Sequence, residues 1–370
     1  MLLMLKGLEL VNDMSASPRW AGGKATLVMT GDVVDRGHAG KAMWKYLFDL
    51  QDDAEKNGGT VVLLLGNHEA NLLQGDYQYM TLPDACQYYA ETKECKLLER
   101  DPRYAEYFWS KSFCLDRQDR PHYHFPGGKS TCCLAQESSR DRCPDTHGYV
   151  AAISKEWGPD GWIGREMRRR VRSGGVKLAH RIDRAGHAIL FIHAGLDVRW
   201  LAARPRLWTG DIAHALQGYL WLTLQLEANT QSTPQTDARV VYDPVDLFGP
   251  DGPVWTRVCD LKLSECNGLR EVLDTLEVDR LVIGHCPQYY GSGDHSVIPT
   301  GRRKYESPGI HEKCGSRFLL TDTRMSIGFT RDRSLSDQNE AAVEVSNNGI
   351  WALYPWRHPG CKKIADANVM

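Results

Sequence analysis

Short apolar runs recur along this chain, each leading into a loop rich in polar residues. Thr26 to Thr30 (TLVMT) is one such run and feeds directly into Gly31-Asp32. Residues from about Ala39 to Lys56 then follow a helical period, with Met43, Leu47 and Leu50 on one stripe, and Gly58-Gly59 stops that helix. Val61 to Leu65 is a second run, β-branched at its start and apolar on both faces. Such a run suits a strand buried between layers, and it delivers Asn67 and His68 into the next loop. Leu190-Phe191-Ile192 before His193 and Leu281-Val282-Ile283 before His285 repeat the arrangement. Phe318 to Thr321 and Ala342 to Val345 are expected as strands of a second sheet. Alternating strand, loop and helix predicts an α/β fold. In such folds sites form beyond the carboxyl ends of strands, where Asp32, Asn67, His193 and His285 all fall.

Two stretches break the pattern. Between Tyr77 and about Glu156 (residues 77–156), Pro, Gly, Ser and Cys accumulate, as an insertion or cap beside a core would show. A second variable stretch over residues 201–250 holds a tryptophan-rich, helix-like segment and the polar run Asn229 to Thr236. With no internal repeat, the 370 residues read as one domain, 1–370, carrying both insertions.

Composition changes this picture little. With 42% hydrophobic and 25% charged residues the chain has ample material for a core. A formal net charge of -2 gives no global field for nucleic acid or an anionic membrane, so any attraction for an anionic ligand must be local. The MLLML start is too short to span a bilayer and lacks the marks of a signal peptide. The chain contains no N-x-S/T acceptor, which favours a cytoplasmic or organellar setting over a secretory lumen.

Cysteine is the exception, with eleven residues, six of them between Cys86 and Cys143. No pair has zinc-knuckle spacing, and His122 and His124 fall in a Pro/Gly segment, so disulfides and ordinary thiols remain the competing readings. Cys286, beside His285, is expected to be a packing residue. The basic run Arg165 to Arg172 is expected to be a solvated helix face.

The chemistry-bearing blocks come in a fixed order: GDVVDRG (Gly31 to Gly37), GNHEA from Gly66, FIHAGL with His193, GPVWTR with Arg257, and GHCPQ with His285. GD or GNH alone says little, but GDVVDRG and GNHE separated by about a helix and a strand form a specific pattern. It resembles the phosphoprotein phosphatase branch of the calcineurin-like metallophosphoesterases. Gly75-Asp76-Tyr77 after GNHE, Gly161-Trp162-Ile163-Gly164 and LLTDTRMSIGF narrow the resemblance to the Shewanella-like protein phosphatases, over about Leu2 to Tyr354. The resemblance implies a four-layer α/β/β/α sandwich with inserted cap segments. It also implies a Ser/Thr-type phosphatase acting on a phosphoprotein or phosphopeptide through metal-activated hydroxide.

By that resemblance the complete family site holds two divalent transition metal ions (Mn, Fe or Zn), which suit a mixture of carboxylate, amide and imidazole ligands. Asp32 corresponds to the bridging carboxylate, and Asn67, His193 and His285 to the remaining ligands of the second metal. Asp35 and His68 correspond to the acid pair that protonates the leaving alkoxide. Arg36 and Arg257 would grip the phosphate oxygens, a role suited to a permanently charged fork.

One departure matters. The family opens with a GDxHG block supplying the first-metal ligands, whereas residues 1 to 30 contain no histidine, and only Glu9 and Asp13 are acidic. Only the second-metal set is complete, so the chain is expected to hold one ion and to turn over slowly. An N-terminally truncated enzyme and a phosphate-binding pseudophosphatase are both compatible with this. Diadenosine tetraphosphatases share GDxxDRG and GNHE, so a nucleotide hydrolase is the alternative enzyme.

Overall fold

The structure is a computed structural model that describes residues 1–35, 37–77, 79–100, 146–184, 186–204, 211–230, 245–260, 266–287, 295–296, 309–323, 325, 340–355 and 360–366. Its fold is mixed α/β. Strands β1 (Thr26–Met29), β2 (Thr60–Leu64) and β3 (Val176–Lys177) form a parallel sheet in that order. A six-stranded mixed sheet follows. It comprises β4 (Ala179–Arg184), β5 (His187–Ile192), β6 (Arg280–Ile283), β7 (His295–Ser296), β8 (His311–Lys313) and β9 (Phe318–Leu320), in the order β4-β5-β6-β9-β8-β7. Strands β5, β6 and β9 are parallel, and the flanking pairs are antiparallel. The third sheet is the antiparallel set β10 (Ala342–Ser346), β11 (Gly349–Leu353) and β12 (Cys361–Ala365).

The unbroken apolar runs are explained by what covers them. Leu63, Leu190, Ile192, Leu281, Ile283, Phe318 and Leu320 join one core with helix residues such as Trp44 and Leu47. Their neighbours of opposite parity, Val62, Leu64, Ile189, Phe191, Val282 and Leu319, pack together with Ile350 of the third sheet. Neither face meets water, so no polar alternation is needed. The strand at Phe318 was expected in the second sheet, but it pairs in parallel with β6 (Leu281↔Phe318, Ile283↔Leu320). All three of its residues are buried, whereas Ala342–Ser346 is half-exposed and lies in the separate sheet.

After the short helix α1 (Leu2–Gly7), helix α2 (Gly40–Lys56) buries Trp44, Leu47, Phe48 and Leu50 and leaves Met43 at its shoulder. The basic run departs from expectation. In the helix Trp162–Ser173, Arg165 and Arg169 are exposed, but Arg170 is buried and makes paired 2.8 Å bonds to Asp52. Arg170 also donates to Gln51, which itself donates to the Val61 and Gly175 carbonyls, so this helix face clamps α2 to the parallel sheet. The guanidinium is buried because partners await it.

The edges of the first interrupted stretch belong to the core: Tyr77, Met80, Tyr149, Ile153 and Trp157 are all fully buried. Residues 101–145, including His122 and His124, lie outside the described residues. In the second stretch the helix Ile212–Thr230 buries Leu216, Leu220 and Leu224, while residues 231–244 lie outside the description.

Disulfides join Cys86 to Cys95, Cys259 to Cys286 and Cys266 to Cys314, and Cys361 is an exposed thiol. Cys286 is therefore a cross-link and not merely a packing residue. Among the described residues no helix is long and apolar enough to cross a membrane.

Candidate metal and phosphate site

Four strands end at one place. Asp32 follows β1, Asn67 follows β2, His193 follows β5 and His285 follows β6. The first two loops pass so close that side chains are excluded between them. A Cβ on Gly31, whose φ is +90°, would stand 2.7 Å from the Gly66 nitrogen and 2.8 Å from His193 Nδ1. Asp32, Asp35 and His285 hold left-handed backbone at φ 55°, 65° and 61°. Aspartate and histidine visit this region more readily than most side chains, but three such residues around one cluster mark a site that the surrounding fold has to hold in place.

Glu69 is what holds the two loops, and the sequence reading passed over it. It lies in the first turn of α3 (Asn67–Gln74), and its buried carboxylate accepts the N–H of Gly66 at 2.9 Å, the reciprocal half of a capping box. The same carboxylate accepts the N–H groups of Asp32 at 2.9 Å, Val33 at 2.7 Å and Val34 at 3.2 Å. One side chain thus fastens GDVVDRG to GNHE. The capping-box spacing was readable, but the reach back across 36 residues to Val33 was not. Burial and then the Asp32 charge push the Glu69 carboxyl above its ordinary pKa.

The four expected ligands converge. His193 Nε2 lies 3.1 Å from Asn67 Oδ1, 3.2 Å from His285 Nδ1 and 3.3 Å from Asp32 Oδ1, and His285 Nδ1 lies 2.9 Å from Asn67 Oδ1. Asp32, His193 and His285 offer their ligand atoms within 4.8 Å of one another, a group able to hold a metal ion. Bonds of about 2.1 Å in a tetrahedral set would space the ligands ~3.4 Å apart, close to these separations. His193 Nδ1 donates to the Thr30 carbonyl at 2.6 Å, the outer hydrogen bond that orients a ligating imidazole and leaves Nε2 facing the cluster.

Electrostatics point the same way. Burial works against charge on Asp32, but His193 and then His68 outweigh it and hold the carboxyl well below the usual range. Burial also disfavours charge on His193, yet Asp32 raises its pKa above the ordinary value. Positive charge is therefore favoured between them. His285 is pushed down to about 3, chiefly by burial and then by His193, which leaves it a neutral donor. The residues present fit one divalent ion.

Beside the cluster, His68 Nδ1 donates to Asp35 Oδ2 at 2.6 Å, and His68 Nε2 lies 4.0 Å from Asp32 Oδ2. The edge of the Tyr79 ring meets His68 with centroids 4.9 Å apart, and Trp255 meets His285 likewise at 6.1 Å. Neither aromatic was singled out from the sequence, where nothing distinguished them from core residues. Arg257 is exposed and brought to the same rim, its Nη1 3.9 Å from the Cys286 sulfur. The Cys259–Cys286 bridge ties the arginine's segment to the His285 loop. Arg36 lies outside the described residues.

A cluster able to hold a metal ion at the ends of four strands, with a His–Asp pair and an arginine beside it, is the site this α/β fold presents. No family model matches the chain. It is 38% identical over 329 residues to Shewanella-like protein phosphatase 2 of Arabidopsis thaliana, covering 85% of this chain and 66% of that protein. It is also 25% identical over 336 residues to an uncharacterised protein of Schizosaccharomyces pombe, covering 89% of this chain and 72% of the relative. Among solved structures, the fold is similar to the cold-active protein-tyrosine phosphatase of a psychrophilic Shewanella species. That likeness has a TM-score of 0.52 and 19% identity, and it covers 96% of this chain and 73% of the other. The chain belongs to the Shewanella-like protein phosphatase family.

Proposed function

We propose that the protein hydrolyses phosphomonoesters on proteins, with a Ser/Thr-type preference, using a metal-assisted site built on a four-layer α/β/β/α sandwich. The observation that carries this reading is the convergence of Asp32, Asn67, His193 and His285 within hydrogen-bond distances beside the His68–Asp35 pair. These four residues would hold a divalent ion. When bound, such an ion acts as a Lewis acid on a phosphoryl oxygen and lowers the pKa of water. The chain's own residues do the rest. Arg257, with Arg36 before it, binds the phosphate oxygens as fixed positive forks. Asp35, accepting from Nδ1, stabilises His68 as the imidazolium, which passes its Nε2 proton to the leaving alkoxide and is left as the neutral tautomer with its proton on Nδ1. The three disulfides among the described residues favour an oxidising compartment over the cytosol.

The test is turnover of a phosphoserine peptide, a phosphotyrosine peptide and diadenosine tetraphosphate with Mn²⁺ present and after chelation. The expected result is chelator-sensitive hydrolysis with the phosphoserine peptide preferred. Preference for phosphotyrosine would overturn the Ser/Thr assignment alone. Preference for the dinucleotide, or activity indifferent to chelation, would overturn the reading as a whole.

A further inference from the structure

Behind the His68–Asp35 pair lies a second carboxylate that the hydrolysis set out above leaves unused. Asp84 is fully buried, in the first turn of the short helix Leu82–Ala85, where Thr81 Oγ1 accepts its N–H at 3.3 Å. Asp84 Oδ1 accepts the Gly40 N–H at 2.8 Å and the Gln87 side-chain amide at 2.7 Å. The peptide N–H groups of Asp35 and Lys41 also favour its charge. Other side chains of the same turn take hold of the same segment. The Thr81 hydroxyl donates to the Gly37 carbonyl. Gln87 Nε2 donates to the His38 carbonyl at 2.6 Å, and its Oε1 accepts the Ala42 N–H at 3.0 Å. Gly40 is bare where this grip is tightest: a Cβ there would stand 2.8 Å from Asp84 Oδ2.

This arrangement is costly. A carboxyl with no exposed surface loses its hydration, and here a second buried acid stands beside it. Burial and then the Asp35 charge push Asp84 up to about 7. Serine or asparagine would cap a turn and accept a backbone N–H without that cost. What the segment Gly37–Ala42 carries explains the expense, because it begins two residues after Asp35, whose left-handed backbone at φ 65° the surroundings have to hold.

We propose that Asp84, with Thr81 and Gln87 beside it, is a positioning residue: by clasping Gly37–Ala42 it fixes Asp35 against His68 and aims the imidazole at the leaving oxygen. Asp84 touches neither substrate nor metal ligand in this role and acts through Asp35. The inference rests on the proposed hydrolysis for its purpose, but its geometry can be tested without turnover.

The experiment is proton NMR of the full 370-residue chain, following the strongly hydrogen-bonded His68 Nδ1 proton, identified by its loss in His68→Asn. Asp84→Ala is expected to abolish or move that resonance while the remaining dispersed signals persist. Asp84→Asn, whose amide oxygen still accepts from Gly40, is expected to retain it. Gln87→Ala, a gentler change, is expected to shift it partway and serves if Asp84→Ala fails to fold. In parallel, Asp84→Ala is expected to lose on the order of tenfold in phosphoserine-peptide turnover, with little change on p-nitrophenyl phosphate, part of the 10²–10⁴-fold that general acids supply. An unmoved resonance in folded Asp84→Ala or Gln87→Ala, its absence from the wild-type chain, or its loss in Asp84→Asn would overturn the positioning role. If the resonance responds as expected but no variant, His68→Asn included, distinguishes the two substrates, the positioning stands and the proposed hydrolysis fails.

Discussion

At the scale of single residues, the centre is a meeting of lone pairs. Asn67 Oδ1 and the ring nitrogens of His193 and His285 crowd within 3.2 Å, and Asp32 adds a charged oxygen at 3.3 Å. Such crowding is stabilised by a cation, and apart from Asp32 little of the ligand set faces solvent: Asn67, His193 and His285 are buried. We expect purified protein to carry one tightly held transition metal per chain. Replacing His193 or His285 with alanine should remove most of it, while Arg257→Ala should leave it in place. Elemental analysis of the wild type and the three variants checks this, and two tightly held ions per wild-type chain would contradict it. The convergence of all four candidate ligands was legible in the sequence because each follows an apolar run ending in a short motif. Tyr79 and Trp255 were not, since an aromatic beside a histidine leaves no local pattern.

At the scale of elements, α3 does two jobs in one turn. Its first residues carry Asn67 and His68 into the site, and its third, Glu69, accepts four backbone N–H groups from two loops. Hydrogen bonds to a charged group are worth about 1.5–3 kcal/mol each, and orphaned buried donors add their desolvation. Glu69→Ala is therefore expected to cost ~3–5 kcal/mol of stability, near the upper end for one substitution. Glu69→Gln, which keeps an acceptor oxygen but loses the charge, should cost less. Urea unfolding checks both, with the midpoint falling and the slope unchanged if only stability is affected. A loss under 1 kcal/mol for the alanine variant would show that the loops are held by something else. Placement of β1, β2, β5, β6, β9 and β10 followed from hydrophobic runs, but that of the other strands and the sheet each joins did not. The run at Phe318 joined the main sheet because every one of its side chains found cover there.

At the scale of the molecule, the three disulfides among the described residues cross-link segments 9, 27 and 48 residues apart. Chain-entropy reasoning gives loops of these sizes roughly 2.5, 3.5 and 4 kcal/mol of stabilisation, a model-dependent scale. Of these bridges Cys259–Cys286 lies at the site, joining the segment of Arg257 to the loop of His285. Thermal unfolding with and without dithiothreitol should show a large drop in midpoint on reduction, and Cys259→Ser with Cys286→Ser should reproduce part of it. Mass spectrometry of alkylated protein should find these six cysteines protected. A midpoint unmoved by reduction would mean that packing alone closes the fold. Bridge connectivity was out of reach of the sequence, because eleven cysteines permit many pairings and only folding brings particular sulfurs together.

The sequence by itself determined the alternation of buried strand and helix, and the residue types poised at the strand ends. Both are local properties: side-chain period sets burial, and a strand's last residue is where a loop begins. It also carried the family, because GDVVDRG and GNHE keep their spacing whatever lies between later blocks. Tertiary structure alone decided that Arg170 of the basic run turns inward to meet Asp52 and Gln51. It decided that Glu69 spans two loops and that Asp84 grips the backbone 44 residues before it. Each is a buried polar group, and where such a group lies depends on which partners the rest of the chain brings within about 3 Å. No local pattern records that.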